Sequence, residues 1–194
     1  MTMIGRRQII ASLCGTLTVT SCASPSPNLY TIAPAPSITL SSKAKVVVLR
    51  SVGVSQYLIR RQIVRSSDNY RIDVLENDWW GEPLDAMLTR VLVQELSDRL
   101  PQSTVYQAAG AVTATPDASI EVELARLDLA NGQLLLIAKA AVSSGGRVPV
   151  ARRSFRILVT PPTTDTAGQV AATSSAVGQM ADGIAEMVAR QPIA

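Results

Sequence analysis

The chain has no histidine, and its 194 residues include only two cysteines, one phenylalanine and two tryptophans. Lacking imidazole, it cannot build a Ser-His-Asp or Cys-His nucleophile system or a histidine-ligated metal site. Neither a G-x-x-x-x-G-K-[ST] phosphate loop nor a G-x-G-x-x-G turn occurs, because the 11 glycines stand singly or in turns. Nucleotide chemistry is therefore not expected. The paired carboxylates Glu121 and Glu123 alternate along a strand-like run, where a solvated strand face accounts for them better than a glycosidase dyad does. Lys139 stands in an apolar strand beside no evident base, which suits an edge or snorkelling lysine rather than a Schiff-base former. An enzyme is not expected, and no cofactor or metal is implied.

No apolar run is long enough to span a bilayer. The N-terminus has a different character. Arg6 and Arg7 precede an apolar or small-residue stretch from Ile9 to Val19, which runs into Val19-Thr20-Ser21-Cys22. This is the layout of a bacterial lipoprotein signal. Signal peptidase would remove residues 1–21 and leave Cys22 carrying a diacylglycerol, with a third chain such as palmitate on its freed amine. Each buried acyl methylene contributes about 0.8 kcal/mol, so two or three chains hold a protein on a membrane almost permanently. Cys14 is a poorer acylation site, since bulky Leu13 precedes it. Ala23 after the cysteine leans toward the outer membrane, where an Asp would favour inner-membrane retention.

Removal of 21 from 194 residues leaves 173, the size of one ordinary domain. Arg6 and Arg7 leave with the signal, so the 18 basic and 15 acidic residues of the full chain become 16 against 15. A nearly neutral domain offers no argument for nucleic-acid binding. Cys22 is then the only cysteine, which excludes an intramolecular disulfide.

Residues 22–42 combine the lipidation site with a Pro- and Ser-rich stretch, with prolines at 25, 27, 34 and 36. Composition reads this stretch as a tether, and the domain is expected at 43–194; the alternative is that Leu29-Tyr30-Thr31-Ile32 already forms a first strand. Lys45 to Val54 is an apolar, β-branched strand. Tyr57-Leu58 and Ile63-Val64-Arg65 are short extended pieces, and Tyr70 to Glu76 alternates as a strand with one wet face. A helix opens at Glu82-Pro83. Its stripe of Leu84, Met87, Leu88, Val91, Leu92, Leu96 and Leu100 predicts core packing, and Pro101 ends it. A short strand at Thr104 to Tyr106 and a low-complexity loop through Pro116 follow. A meander of three strands comes next: Ser119 to Leu129, Gln133 to Val142 and Arg147 to Val159. The turns are Asn131-Gly132 and Ser143 to Gly146, with Pro149 at an edge or bulge. Thr166 to Arg190 is a second helix. The expected fold is α/β (α+β), a single domain with a mixed sheet, a three-strand antiparallel meander and two main helices packed on it.

Trp79 and Trp80 stand side by side in a connection before the first helix. One is expected in the core and the other on the surface, where tryptophan is a common anchor for partners or lipid. Here the chain also resembles a known family. Tyr57-Leu58, Ile63-Val64, Tyr70-x-Ile72 and the run N-x-W-W-G-E-P-L-D-x-x-L-x-x-x-L-x-x-x-L at 77–96 are similar to the ABC-type transport auxiliary lipoprotein family, whose members include paraquat-inducible protein C. The resemblance implies a non-catalytic, periplasm-facing lipoprotein that accompanies an MCE-domain protein with its inner-membrane permease and ATPase in moving lipids between membranes. It implies Cys22 as the outer-membrane anchor and leaves room for a homo-oligomer matching the MCE ring. Tyr57, Leu58, Tyr70, Trp79 and Trp80 become the candidate partner-binding residues. A lipid carrier with a cavity between sheet and helices, and a pilot lipoprotein assembling an outer-membrane complex, are the alternative readings.

Overall fold

The computed structural model describes residues 26–66, 70–109, 115–144 and 151–191. The signal sequence, Cys22 and Pro149 lie outside them. Eight strands form one mixed sheet: β1 (Asn28–Tyr30), β2 (Val46–Val54), β3 (Gln62–Ser66), β4 (Ile72–Trp80), β5 (Thr104–Gln107), β6 (Ala118–Ala130), β7 (Gln133–Ser144) and β8 (Ala151–Val159). Two helices, α1 (Leu84–Arg99) and α2 (Thr166–Ala189), complete the domain. This is the α+β architecture read from the sequence.

The long strand β6 organises the sheet. One edge of β6 pairs antiparallel with β7, which pairs antiparallel with β8. Its other edge is shared: β2 runs parallel to residues 118–124, and β3 runs parallel to Leu129 and Ala130. Beyond β2 lies parallel β5; beyond β3 lies antiparallel β4, and then parallel β1. The Asn131-Gly132 turn has positive φ at both residues, 52° and 75°, as a two-residue type I′ hairpin requires.

Alternation sets the layers. Along β6, Ile120, Val122 and Leu124 are buried, whereas Glu121 and Glu123 are exposed. The buried set faces α1 and α2, which pack on the same side of the sheet and on each other. The stripe of α1 is core, as its spacing predicts, but it also carries Glu95 and Arg99, both fully buried. Arg99 pairs with Glu95 one turn back, donates to Asp182 of α2 at 2.6 Å and to the Gly178 carbonyl at 3.0 Å. Each buried charge thus has its counter-charge, the condition under which burial is tolerated.

Several expectations are corrected. The stretch 28–42 is not a free tether. Asn28–Tyr30 adds a strand to β4, and the next ten residues run as a strap along the seam of the helices. Ile32 is buried against α1, Ala33 N–H donates to Ser174 Oγ at 3.1 Å, Ala35 N–H to Glu95 Oε1 at 2.7 Å, and Leu40 N–H to the Arg99 carbonyl at 2.7 Å. A Pro-rich composition marks lack of regular structure, not lack of contacts: Pro34 and Pro36 alternate with residues whose N–H groups reach the helices. Gly178 makes room for the strap, since a Cβ there would stand 2.6 Å from Ala35 Cβ. The second correction concerns the tryptophans. They end strand β4 rather than occupying a connection, and Tyr57-Leu58 belongs to a single 3-10 turn, Gln56–Leu58, rather than an extended piece. That turn closes because Leu58 N–H bonds back to the Ser55 carbonyl at 2.9 Å, while Ser55 Oγ is held by the Ala125 carbonyl at 2.9 Å.

Candidate functional site

The candidate residues separate by burial. Trp80 is 6% exposed and Leu58 is 3% exposed; both line a gap with Ile63, Leu84 and Thr173 deep in the sheet–helix interface. They are core residues and cannot meet a partner directly. The reason lies in register: Tyr30 aligns with Trp80, so both face the helices, while Leu29 aligns with Trp79 on the opposite face. Trp79 is half-buried there, its indole N–H donating to the Glu76 carbonyl at 2.7 Å. Tyr57 is half-buried too. Its hydroxyl accepts from Leu127 N–H at 3.2 Å, and burial pushes the phenol above its ordinary pKa. Tyr70, two residues before β4, is 98% exposed. Of the five residues Tyr70 is fully exposed, while Tyr57 and Trp79 each keep part of their surface outward, Tyr57 also packing against the core.

A polar junction missed by sequence reading sits where β1, β4 and α2 meet. Asp78 accepts from Asn28 Nδ2 at 2.9 Å and from Thr166 Oγ1 at 2.5 Å, and Thr166 also receives Arg65 Nη2 at 3.4 Å. The Thr166 hydrogen bond, then the Asn28 one, hold the Asp78 carboxyl below the usual carboxylate range. One residue before α2, Asp165 caps the helix by accepting from Gly168 N–H at 2.8 Å. Its carboxyl is lowered chiefly by the Thr163 hydroxyl. These carboxylates are occupied in tying elements together. Their sequence signal is Asp165-Thr166 at a helix start; the partner Asp78 had none.

The sheet face opposite the helices is left open by them. Here Glu121 lies between Ser51 and Ala141, and Glu123 between Gly53 and Lys139; Ala141 and Lys139 face Arg152 and Ser154 on β8. Together they line an open concavity of about 550 Å³. Glu121 and Glu123 are both solvent-exposed on one strand face. Among the described residues no group of three Cys, Asp or Glu side chains is placed to hold a metal ion, and no helix is long and apolar enough to cross a membrane. Small side chains between two acidic and two basic ones make a shallow surface suited to a protein contact with a polar rim.

Comparisons with known proteins agree with this architecture. No curated protein sequence matches the chain significantly. Among solved structures, an uncharacterized protein superimposes with a TM-score of 0.71 at 18% identity, covering 84% of this chain and 99% of that one. A Xanthomonas campestris protein of the DUF330 family does so with a TM-score of 0.63 at 17% identity, covering 84% and 93%. At such identities the likeness is one of fold. The sequence model of the ABC-type transport auxiliary lipoprotein component matches residues 28–185, starting at β1 and ending inside α2. The chain belongs to the ABC-type transport auxiliary lipoprotein family.

Proposed function

We propose that this protein is an outer-membrane-anchored, periplasm-facing auxiliary lipoprotein of an MCE-type lipid transport system, and that it acts as a non-catalytic docking subunit. The observation that carries the reading is the family match from β1 into α2, in a chain whose first residues end in the lipidation motif at Cys22. The chemistry of the domain supports it. Asp78, Glu95, Asp165, Asp182 and Glu186 serve in caps, junctions and ion pairs, Glu121 and Glu123 lie on an open face, and the strap is consumed in packing. The docking surface is the open sheet face around Glu121, Glu123, Lys139 and Arg152, which meets the periplasmic end of an MCE protein held by its permease and ATPase. Several copies arranged around an MCE ring would present this face repeatedly.

The carrier reading is disfavoured by the interior. Ligand pockets begin at about 300 Å³; the space between β2 and α1, about 630 Å³, is open and lined by the polar Glu82, Asp85, Thr89 and Arg90, whereas the enclosed gap at Leu58, Ile63 and Trp80 offers about 10 Å³. That is room for about one water molecule.

Anchoring is tested by labelling cells with radioactive palmitate and separating membranes by density. The native protein is expected in the outer-membrane fraction carrying label, and Cys22→Ala unlabelled and released. Label in the inner-membrane fraction would overturn the placement, and no label on the native protein would overturn the anchor.

A further inference from the structure

We propose that one end of the sheet, formed by Leu29, Ile72, Val74 and Trp79, rests on the lipid bilayer, so that the domain lies against the membrane in a fixed orientation instead of swinging on its anchor. The proposal rests on the reading of Cys22 as the lipidated residue. With the strap packed on the helices, only five residues, 23–27, separate Cys22 from Asn28, a span of six Cα–Cα steps. Fully extended it reaches about 20 Å. The anchor therefore lies close to β1, and whatever β1 exposes is brought to the headgroup region.

What it exposes is apolar. Leu29 is 66% exposed and stands in register with Trp79. In the neighbouring strand pair, Gln62 is opposite Trp79, Val64 opposite Val74 and Ser66 opposite Ile72. Gln62, Val64 and Ser66 alternate along one face of β3, so Trp79, Val74 and Ile72 share that face. They can do so because Leu75 to Asp78 together oppose the single residue Ile63, an irregularity that turns Trp79 to the side of Val74. Ile72 is 44% exposed and Val74 38%.

Two features favour lipid over a second protein. The Trp79 N–H is already satisfied by the Glu76 carbonyl, so the ring can enter the headgroup boundary without stranding a donor. Tryptophan is the residue enriched at that depth. The charges beside the patch carry no basic excess, Arg71 pairing with Asp73 at 2.9 Å next to the acidic Glu76. The contact is thus driven by apolar burial and should not require anionic lipid.

Because Cys22 is the only cysteine of the processed chain and its thiol would be acylated, single thiols can be introduced. Leu29→Cys and Val74→Cys, with Leu158→Cys as a contrast at the exposed far end of the sheet, are labelled with an environment-sensitive dye in the full-length lipoprotein. Each is reconstituted into phosphatidylcholine vesicles with or without brominated acyl chains and recovered by flotation. Dye at 29 and 74 is expected to shift to the blue and lose emission in brominated vesicles, with dye at 158 unchanged. Intrinsic Trp emission in the native protein should be quenched in part, and the quenched part should vanish in Trp79→Phe. Flotation without quenching at 29 and 74 would overturn the contact while leaving the anchor intact. Dye responses that follow protein-to-lipid ratio without quenching would assign the patch to contact between copies and also overturn it. If the native lipoprotein fails to float, the anchor reading falls and the contact with it.

Discussion

Two adjacent tryptophans have opposite fates because alternation along β4 puts Trp80 under the helices and Trp79 on the other face. Replacing Trp80 by Ala should cost about 3–5 kcal/mol, as for other large core aromatics, and Trp79→Ala about 1 kcal/mol or less as a surface change; urea melts of the two variants check this ordering. The sequence carried the prediction that one of the pair is inside, since two bulky neighbours rarely face one way. It could not say which. That depends on the parallel register of β1 and on the four-residue irregularity in β4, neither of which has a local signature. Asp78 is a second residue whose role is decided by distant partners. Its carboxyl is depressed below its unfolded value by Thr166 and Asn28, so its stabilising contribution is complete above about pH 4, the ordinary carboxylate range, and is lost as pH falls through the lower folded-state value. Asp78→Asn should therefore lower stability at pH 7 and flatten the acid side of the stability–pH profile. A variant profile parallel to that of the native protein between pH 5 and 2 would contradict this.

At the level of elements, α1 was legible because its apolar positions recur at three and four residues and its ends carry Pro83 and Pro101. The meander was legible because Asn131-Gly132 demands positive φ and strands flank it. The strap was not, because irregular backbone that docks through its own N–H groups leaves no periodicity in the sequence. Its stability depends on the buried Glu95–Arg99 pair, which both braces α1 against α2 and receives Ala35 N–H. Arg99→Met should cost about 3–5 kcal/mol by leaving Glu95 buried without its counter-charge. Adding Glu95→Leu should restore much of that loss, although Ala35 N–H then goes unpaired at about 1–3 kcal/mol. Equal destabilisation by the single and double variants would show that the pair contributes through packing alone. Gly178→Ala tests the strap while the added Cβ stays at ordinary contact distance from the charges, 3.5 Å from Glu95 Oε1 and 3.6 Å from Arg99 Nη2. Its side chain would collide with Ala35, so limited proteolysis should cut within residues 33–40 in the variant and spare the native protein there.

On the scale of the whole molecule, one face of the sheet is spent on stability and the other is left for contact. Fold class, helix count and family were readable from pattern and motif. The start of the domain at Asn28 was not, and it changes the picture of the anchored protein from a domain held at a distance to one held close to its membrane. The open face could be anticipated only as alternating charge in β6; its concavity is lined by that strand together with β2, β7 and β8. Charge reversal at Lys139 and Arg152, both to Glu, should weaken partner capture while leaving the melting temperature nearly unchanged, because neither side chain is buried. Loss of folding in that variant would mean the face contributes to stability instead. The central claim, a docking subunit of a lipid transporter, is tested most directly by crosslinking the tagged, full-length lipoprotein in gently solubilised membranes, with Cys22→Ala alongside and mass spectrometry of bound proteins and lipids. Recovery of an MCE protein with its permease from the native lipoprotein, reduced in the variant, is the predicted result; bound lipid without any such protein would contradict the account.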